Sequence, residues 1–164
     1  MWKKYLSLFG LGIIALLVVG CKAQTEDSSK EKDVKVIETE MGKVEVPTNP
    51  KNVLVNWYVH DVVSLGVNPV GYAGWAHESM PMFKEMKDIP VVEKWEKEEL
   101  LSYEPDLIIT YDKEDFDKFS KIAPVVVVSE SKTPEERLTF LGEVLGKEDK
   151  AKELIQTFED KLEV

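Results

Sequence analysis

Residues 96–111 read EKEELLSYEPDLIITY. The first eight carry an apolar stripe at helical spacing, Pro105 breaks the chain, and residues 106–110 form a short continuous apolar run. A run of that kind, rich in β-branched residues and bounded by turns, suits a strand covered on both faces, as in a parallel sheet. The same alternation continues on either side. Apolar runs lie at 53–55, 69–72 and 125–128, and two-turn helical stretches at 58–65 and 115–122. Strands alternating with helices predict an α/β three-layer sandwich with a mainly parallel sheet.

The flanks differ from this centre. Residues 34–39 and 43–46 alternate around Met41-Gly42, which predicts a small hairpin, and Pro47 to Pro50 then interrupts the chain. Residues 134–145 predict a helix with Leu138, Leu141 and Leu145 on one face, stopped by Gly146. Residues 148–162 predict a second, with Ala151, Leu154, Ile155, Phe158 and Leu162 in one stripe. A helix this amphipathic requires a partner surface.

The whole chain has 164 residues, 43% hydrophobic and 32% charged, with 21 Lys+Arg against 31 Asp+Glu and a net charge of −10. This is a globular composition, and its charge argues against nucleic acid as a partner. Residues 1–20 combine Lys3 and Lys4 with a 13-residue uncharged run, Leu8 to Gly20. That is shorter than the roughly 20 residues of a spanning helix and fits a secretory signal. The chain's one cysteine, Cys21, follows Val18-Val19-Gly20. This is the pattern of a lipoprotein box, in which Cys21 is acylated and holds the protein to the membrane. A single cysteine excludes an internal disulfide framework. Residues 22–33 are polar and charged, as a tether would be. The expected organisation is therefore signal peptide 1–20, lipidated Cys21 and tether to 33, an α/β lobe over 34–145, and a further helix beginning at 146.

The sequence has no GxSxG, HExxH or phosphate loop, so no catalytic residue is assigned. His60 and His77 read as solvated residues rather than metal ligands, since no ligand spacing accompanies them. The aromatic residues are more informative. Trp57 and Tyr58 follow the run 53–55, Tyr72 and Trp75 follow residues 69–71, and Tyr111 follows the apolar run ending at 110. Ligands of open parallel sheets bind beyond the carboxyl ends of the strands, so these five residues predict an aromatic-lined mouth. Arg137 is the only arginine and follows the last strand. A mouth without a guanidinium fork favours a neutral or weakly cationic ligand over a multiply charged carboxylate.

Residues 41–55 (MGKVEVPTNPKNVLV), 65–71 (LGVNPVG), 98–111, 121–128 (KIAPVVVV) and 141–155 (LGEVLGKEDKAKELI), in this order and spacing, resemble the N-terminal part of iron–siderophore substrate-binding lipoproteins of bacterial ABC importers. The resemblance implies one lobe of a two-lobed protein, ending in the start of a long interlobe helix at 146–164, with the C-terminal lobe absent. It implies a monomer without a resident cofactor or metal, anchored on the extracytoplasmic face of the cell membrane. Its ligand would be a ferric siderophore, of hydroxamate type, and its partner an ABC permease of the FecCD-like type. Tyr111, ending PDLIITY, matches a cleft tyrosine of the ferric-hydroxamate binders. Glu98, seven residues before Pro105, matches an acid that docks the permease, with Glu96 and Glu99 as neighbouring alternatives. Haem, cobalamin or ferric citrate on the same fold, a truncated product without transport activity, and a membrane-anchored α/β enzyme are the competing readings.

Overall fold

A computed structural model describes residues 33–80 and 82–162. The leader, Cys21 and nearly all of the tether lie outside the described residues. The chain opens with an antiparallel hairpin, β1 (Val34–Thr39) and β2 (Gly42–Pro47), paired from Val34↔Pro47 to Thr39↔Gly42. The turn is therefore Glu40-Met41, one residue earlier than expected. Gly42 opens β2 at φ 100°, in the left-handed region. The Thr39 hydroxyl closes the turn by donating to Gly42 O at 2.9 Å.

Four parallel strands follow, β3 (Val53–Asn56), β4 (Gly71–Ala73), β5 (Leu107–Thr110) and β6 (Val125–Val127), in the spatial order β4-β3-β5-β6. The helices are α1 (Val59–Ser64), α2 (Phe83–Met86), α3 (Lys97–Leu101), α4 (Glu114–Phe119), α5 (Pro134–Leu145) and α6 (Glu148–Leu162). The fold is the expected α/β sandwich, with helices on both faces of the sheet. The short helix α2 escaped the sequence reading, and α1, α3 and α4 are shorter than expected.

The continuous apolar runs are explained by the two faces. Val53, Val55, Leu107, Ile109, Val126 and Val128 pack with α1, α5 and the inward residues of the hairpin, Ile37, Val44 and Val46. Leu54, Ile108, Val125 and Val127 pack on the other side with Leu100 of α3 and Phe119 of α4. Alternate residues of one strand thus serve two cores, which removes the polar alternation of a one-sided sheet.

The ends of the central strands are tied. At their start, the Asp106 carboxylate accepts the backbone N–H of Lys51 at 2.8 Å and of Asn52 at 2.9 Å, joining β5 to β3. Helix α5 begins with a capping box, in which the Thr133 side chain accepts Glu136 N–H and the Glu136 side chain accepts Thr133 N–H. It ends at Gly146, φ 65°. Lys35 Nζ of the hairpin donates to the Glu143 carbonyl in its last turn. Helices α5 and α6 cross at Gly142, where an added Cβ would lie 2.7 Å from Ala151 Cβ. Along the α6 stripe, Ala151 is buried, Leu154 and Ile155 are half-buried, and Phe158 and Leu162 are exposed. A groove of about 200 Å³ between α1, α5 and α6 is lined by Leu138, Leu154, Ile155 and Phe158, among others. No helix among the described residues is long and apolar enough to cross a membrane.

Candidate functional site

The five candidate aromatics separate by exposure. Trp57 (59%), Trp75 (64%) and Tyr111 (39%) are open to solvent, whereas Tyr58 (9%) and Tyr72 (5%) are packed into the core. The register explains Tyr72. It pairs with Val55, which pairs with Ile109, which pairs with Val126, and all four side chains belong to one core face. Strand β4 begins at Gly71 and ends at Ala73, later than the sequence suggested, so Tyr72 lies inside the strand rather than beyond its end.

Trp57 and Tyr111 each stand one residue past the carboxyl end of a central strand, and their rings meet at 6.0 Å between centroids and 55° between planes. Trp57 is held in an unusual conformation. Its φ is 79°, and the Tyr58 N–H donates to Asn56 O at 3.1 Å, closing a three-residue γ-turn around it. A bulky residue there costs about 1–3 kcal/mol and persists only when its surroundings impose it. The Trp57 N–H continues the ladder to Ala73 O at 2.9 Å. Gly74 follows at φ 127° and abuts Trp57. Trp75 then stacks on His77, with centroids 5.8 Å apart and an interplanar angle of 20°.

Below the paired rings lies a group the sequence reading passed over. Asp115 of α4 is 2% exposed. Its Oδ2 accepts the Thr110 hydroxyl at 2.6 Å, the Trp95 indole N–H at 2.8 Å and an Asn56 amide N–H at 3.4 Å. In the sequence Asp115 resembles any acid in a helix's first turn, and Trp95 follows no strand, so neither gave a local signal.

Arg137 is not free. Its Nε donates to Asp61 Oδ2 at 2.7 Å, and its guanidinium lies 5.3 Å from the Tyr58 ring centroid. Burial pushes the Tyr58 phenol above its ordinary pKa; Glu130, Asp61 and Tyr111 add to this, and Arg137 partly offsets it. His60 is a half-buried residue in the first turn of α1, with its Nε2 enclosed and without a hydrogen-bond partner among the described residues. His77 is a loop residue whose Nδ1 meets the Ser79 hydroxyl at 2.9 Å. Among the described residues no group of three or more His, Cys, Asp or Glu side chains could hold a metal ion.

The three acids around α3 differ in occupation. Glu99 accepts the backbone N–H of Lys94 at 2.8 Å and of Glu93 at 3.1 Å. These bonds, the one from Lys94 foremost, hold its carboxyl below the usual range. Glu96 caps α3 without a side-chain bond, and Glu98 is exposed.

Known proteins share this arrangement of chain. The family profile described as "Periplasmic binding protein" matches residues 53–164. The iron(3+)-hydroxamate-binding protein YxeB of Bacillus subtilis is 29% identical over 171 residues, covering 98% of this chain and 53% of that protein. The structure of unliganded FhuD2 from Staphylococcus aureus superposes with a TM-score of 0.71 at 29% identity, over 79% of this chain and 49% of that one. Staphylococcus aureus SirA, complexed with staphyloferrin B, superposes with a TM-score of 0.67 at 30% identity, over 77% and 47% of the two chains. The chain spans about half the length of the curated relatives it matches.

Proposed function

The chain belongs to the periplasmic binding protein family, and from that premise we propose that it forms the N-terminal part of a ferric-siderophore receptor serving an ABC importer. The relatives it matches are binding proteins rather than enzymes. The observation that carries the ligand assignment is the exposed Trp57–Tyr111 pair at the carboxyl ends of two adjacent parallel strands. Open sheets bind ligands at this edge, and offset aromatic faces suit an apolar or delocalised surface. The one arginine is neutralised by Asp61, so the edge offers no free guanidinium to a multiply charged carboxylate. A ferric hydroxamate fits these features, and the iron enters as cargo rather than as a resident metal.

In this reading Cys21 carries the lipid and residues 22–33 are the tether. Residues 34–145 form one wall of a cleft, and the helix from 146 leads to the second lobe. Glu98, exposed on α3, is the acid assigned to the permease by its match, with Glu96 the remaining alternative, since Glu99 is committed to its own loop. The test is a fluorescence titration with ferrichrome, ferric citrate and haem. Trp57 and Trp75 beside bound iron should be quenched by ferrichrome at the lowest concentration. Quenching by ferric citrate or haem alone would replace the hydroxamate assignment, and no quenching by any of the three would remove the site.

A further inference from the structure

Asp115 joins the two strands that carry the paired rings. Its Oδ2 receives the Thr110 hydroxyl from the last residue of β5 and an Asn56 amide N–H from the last residue of β3. The next residue on each strand is Tyr111 or Trp57. The Asn56 amide also approaches the Thr110 hydroxyl at 3.4 Å, so the three side chains form a closed triangle. The Thr110 Oγ1 accepts the Asp112 N–H at 3.1 Å, which brackets the Tyr111 backbone from both sides. On the other side, Asn56 O closes the γ-turn that sets Trp57 at φ 79°. The third donor, Trp95, lies edge-on to Phe119 at 6.3 Å and packs on the sheet face that also carries Leu54, Ile108 and helix α4.

Three donors converging on Oδ2 offset part of the cost of withdrawing this carboxylate from water. Charge-assisted bonds of this kind are short and directional. We infer that Asp115 is a positioning residue, latching the ends of β3 and β5 so that Trp57 and Tyr111 are presented as one preformed surface. This rests on the aromatic pair being the ligand site, and adds to that reading a residue that never touches ligand.

The experiment uses the full chain with Asp115→Asn, Thr110→Val and the double variant, beside Thr110→Ser and the distant helix-packing control Gly142→Ala. The first readout is the near-ultraviolet circular dichroism of the ligand-free protein, with the Trp57 contribution identified by Trp57→Phe. The second is ferrichrome affinity. Asp115→Asn should lose the Trp57 band and bind about tenfold more weakly, as expected for one charge-assisted hydrogen bond. Thr110→Val should do the same, and the double variant should lose no more than the larger single loss. Thr110→Ser, which keeps the hydroxyl, should resemble the wild type, and Gly142→Ala should lower thermal stability without moving the band. An unchanged band in folded Asp115→Asn and Thr110→Val overturns the inference, as does an equal change in Gly142→Ala. If the wild type fails to bind ferrichrome while the band still depends on Asp115, the ligand assignment falls and the positioning role stands.

Discussion

The rings of Trp57 and Tyr111 meet at 6.0 Å although each follows a different strand and neither is part of the core. Their contact is made at the surface by two backbones that parallel pairing brings side by side. An aromatic pair of this kind contributes about 0.5–1.5 kcal/mol beyond buried area. Tyr111→Ala should therefore weaken ferrichrome binding by about two- to tenfold at unchanged fold, measured by tryptophan quenching or calorimetry. Trp57 allows a sharper test. Trp57→Ala and Trp57→Gly both remove the ring, but only glycine relieves the positive φ. The glycine variant should be more stable than the alanine variant by about 1 kcal/mol in denaturant unfolding. Equal stabilities would mean that the Trp57 backbone is not strained.

Glu98→Arg should leave thermal stability and ferrichrome affinity nearly unchanged, because an exposed acid contributes under about 1 kcal/mol to folding. Uptake in a strain that depends on this protein should fall sharply, since a reversed charge opposes a basic socket. Loss of affinity instead would move Glu98 into the ligand site.

Glu99 should behave differently. Its carboxyl is held below the usual range by the Lys94 and Glu93 amides. A depressed folded value means that its stabilisation of this loop is present above the unfolded pKa and is lost as pH falls through the folded one. The Lys94 amide resonance should therefore shift on acidification with a midpoint below that of an ordinary glutamate. In Glu99→Gln the same resonance should show no such transition.

Gly142→Ala brings two competing effects. Alanine improves helix propensity by about 1 kcal/mol, but its Cβ would lie 2.7 Å from Ala151 Cβ. Overpacking costs about 1–3 kcal/mol, so a net loss is expected, with Gly142→Val lower still by thermal unfolding. A stabilised Gly142→Ala would show that α6 moves freely against α5.

Cys21→Ala should release the protein from the membrane fraction into the medium, and intact-mass measurement of the wild type should show acyl chains on the N-terminal residue. An unlipidated wild type would refute the anchor.

The fold was legible because its signals are local and redundant. The runs at 53–55, 107–109 and 125–127 are apolar on both faces, and Gly146 marks the end of α5. Helix α2 was not legible, because its four residues give no periodicity to count. Trp57 and Tyr111 could be placed at strand ends from the runs alone. Tyr72 could not, since a shift in the start of β4 by two residues turns a strand-end ring into an interior one. Asp115 was invisible for another reason. Its donors Asn56, Trp95 and Thr110 come from three separated segments, and only the folded chain gathers them.

The exposed rings stand on frames that do not need them. Trp57, Trp75 and Tyr111 leave the sheet just after its last paired residues, while the carboxylates of Asp106 and Asp115 fasten β3 to β5 at opposite ends. Replacing any of the three rings removes little buried area and no ladder bond that another side chain could not leave intact. The surface of this edge can consequently vary while the carboxylate ties and the strand pairing beneath it are kept. On the proposed reading of this edge as the ligand site, a lineage could exchange one ligand for another through a few codons at these positions, with the architecture inherited unchanged.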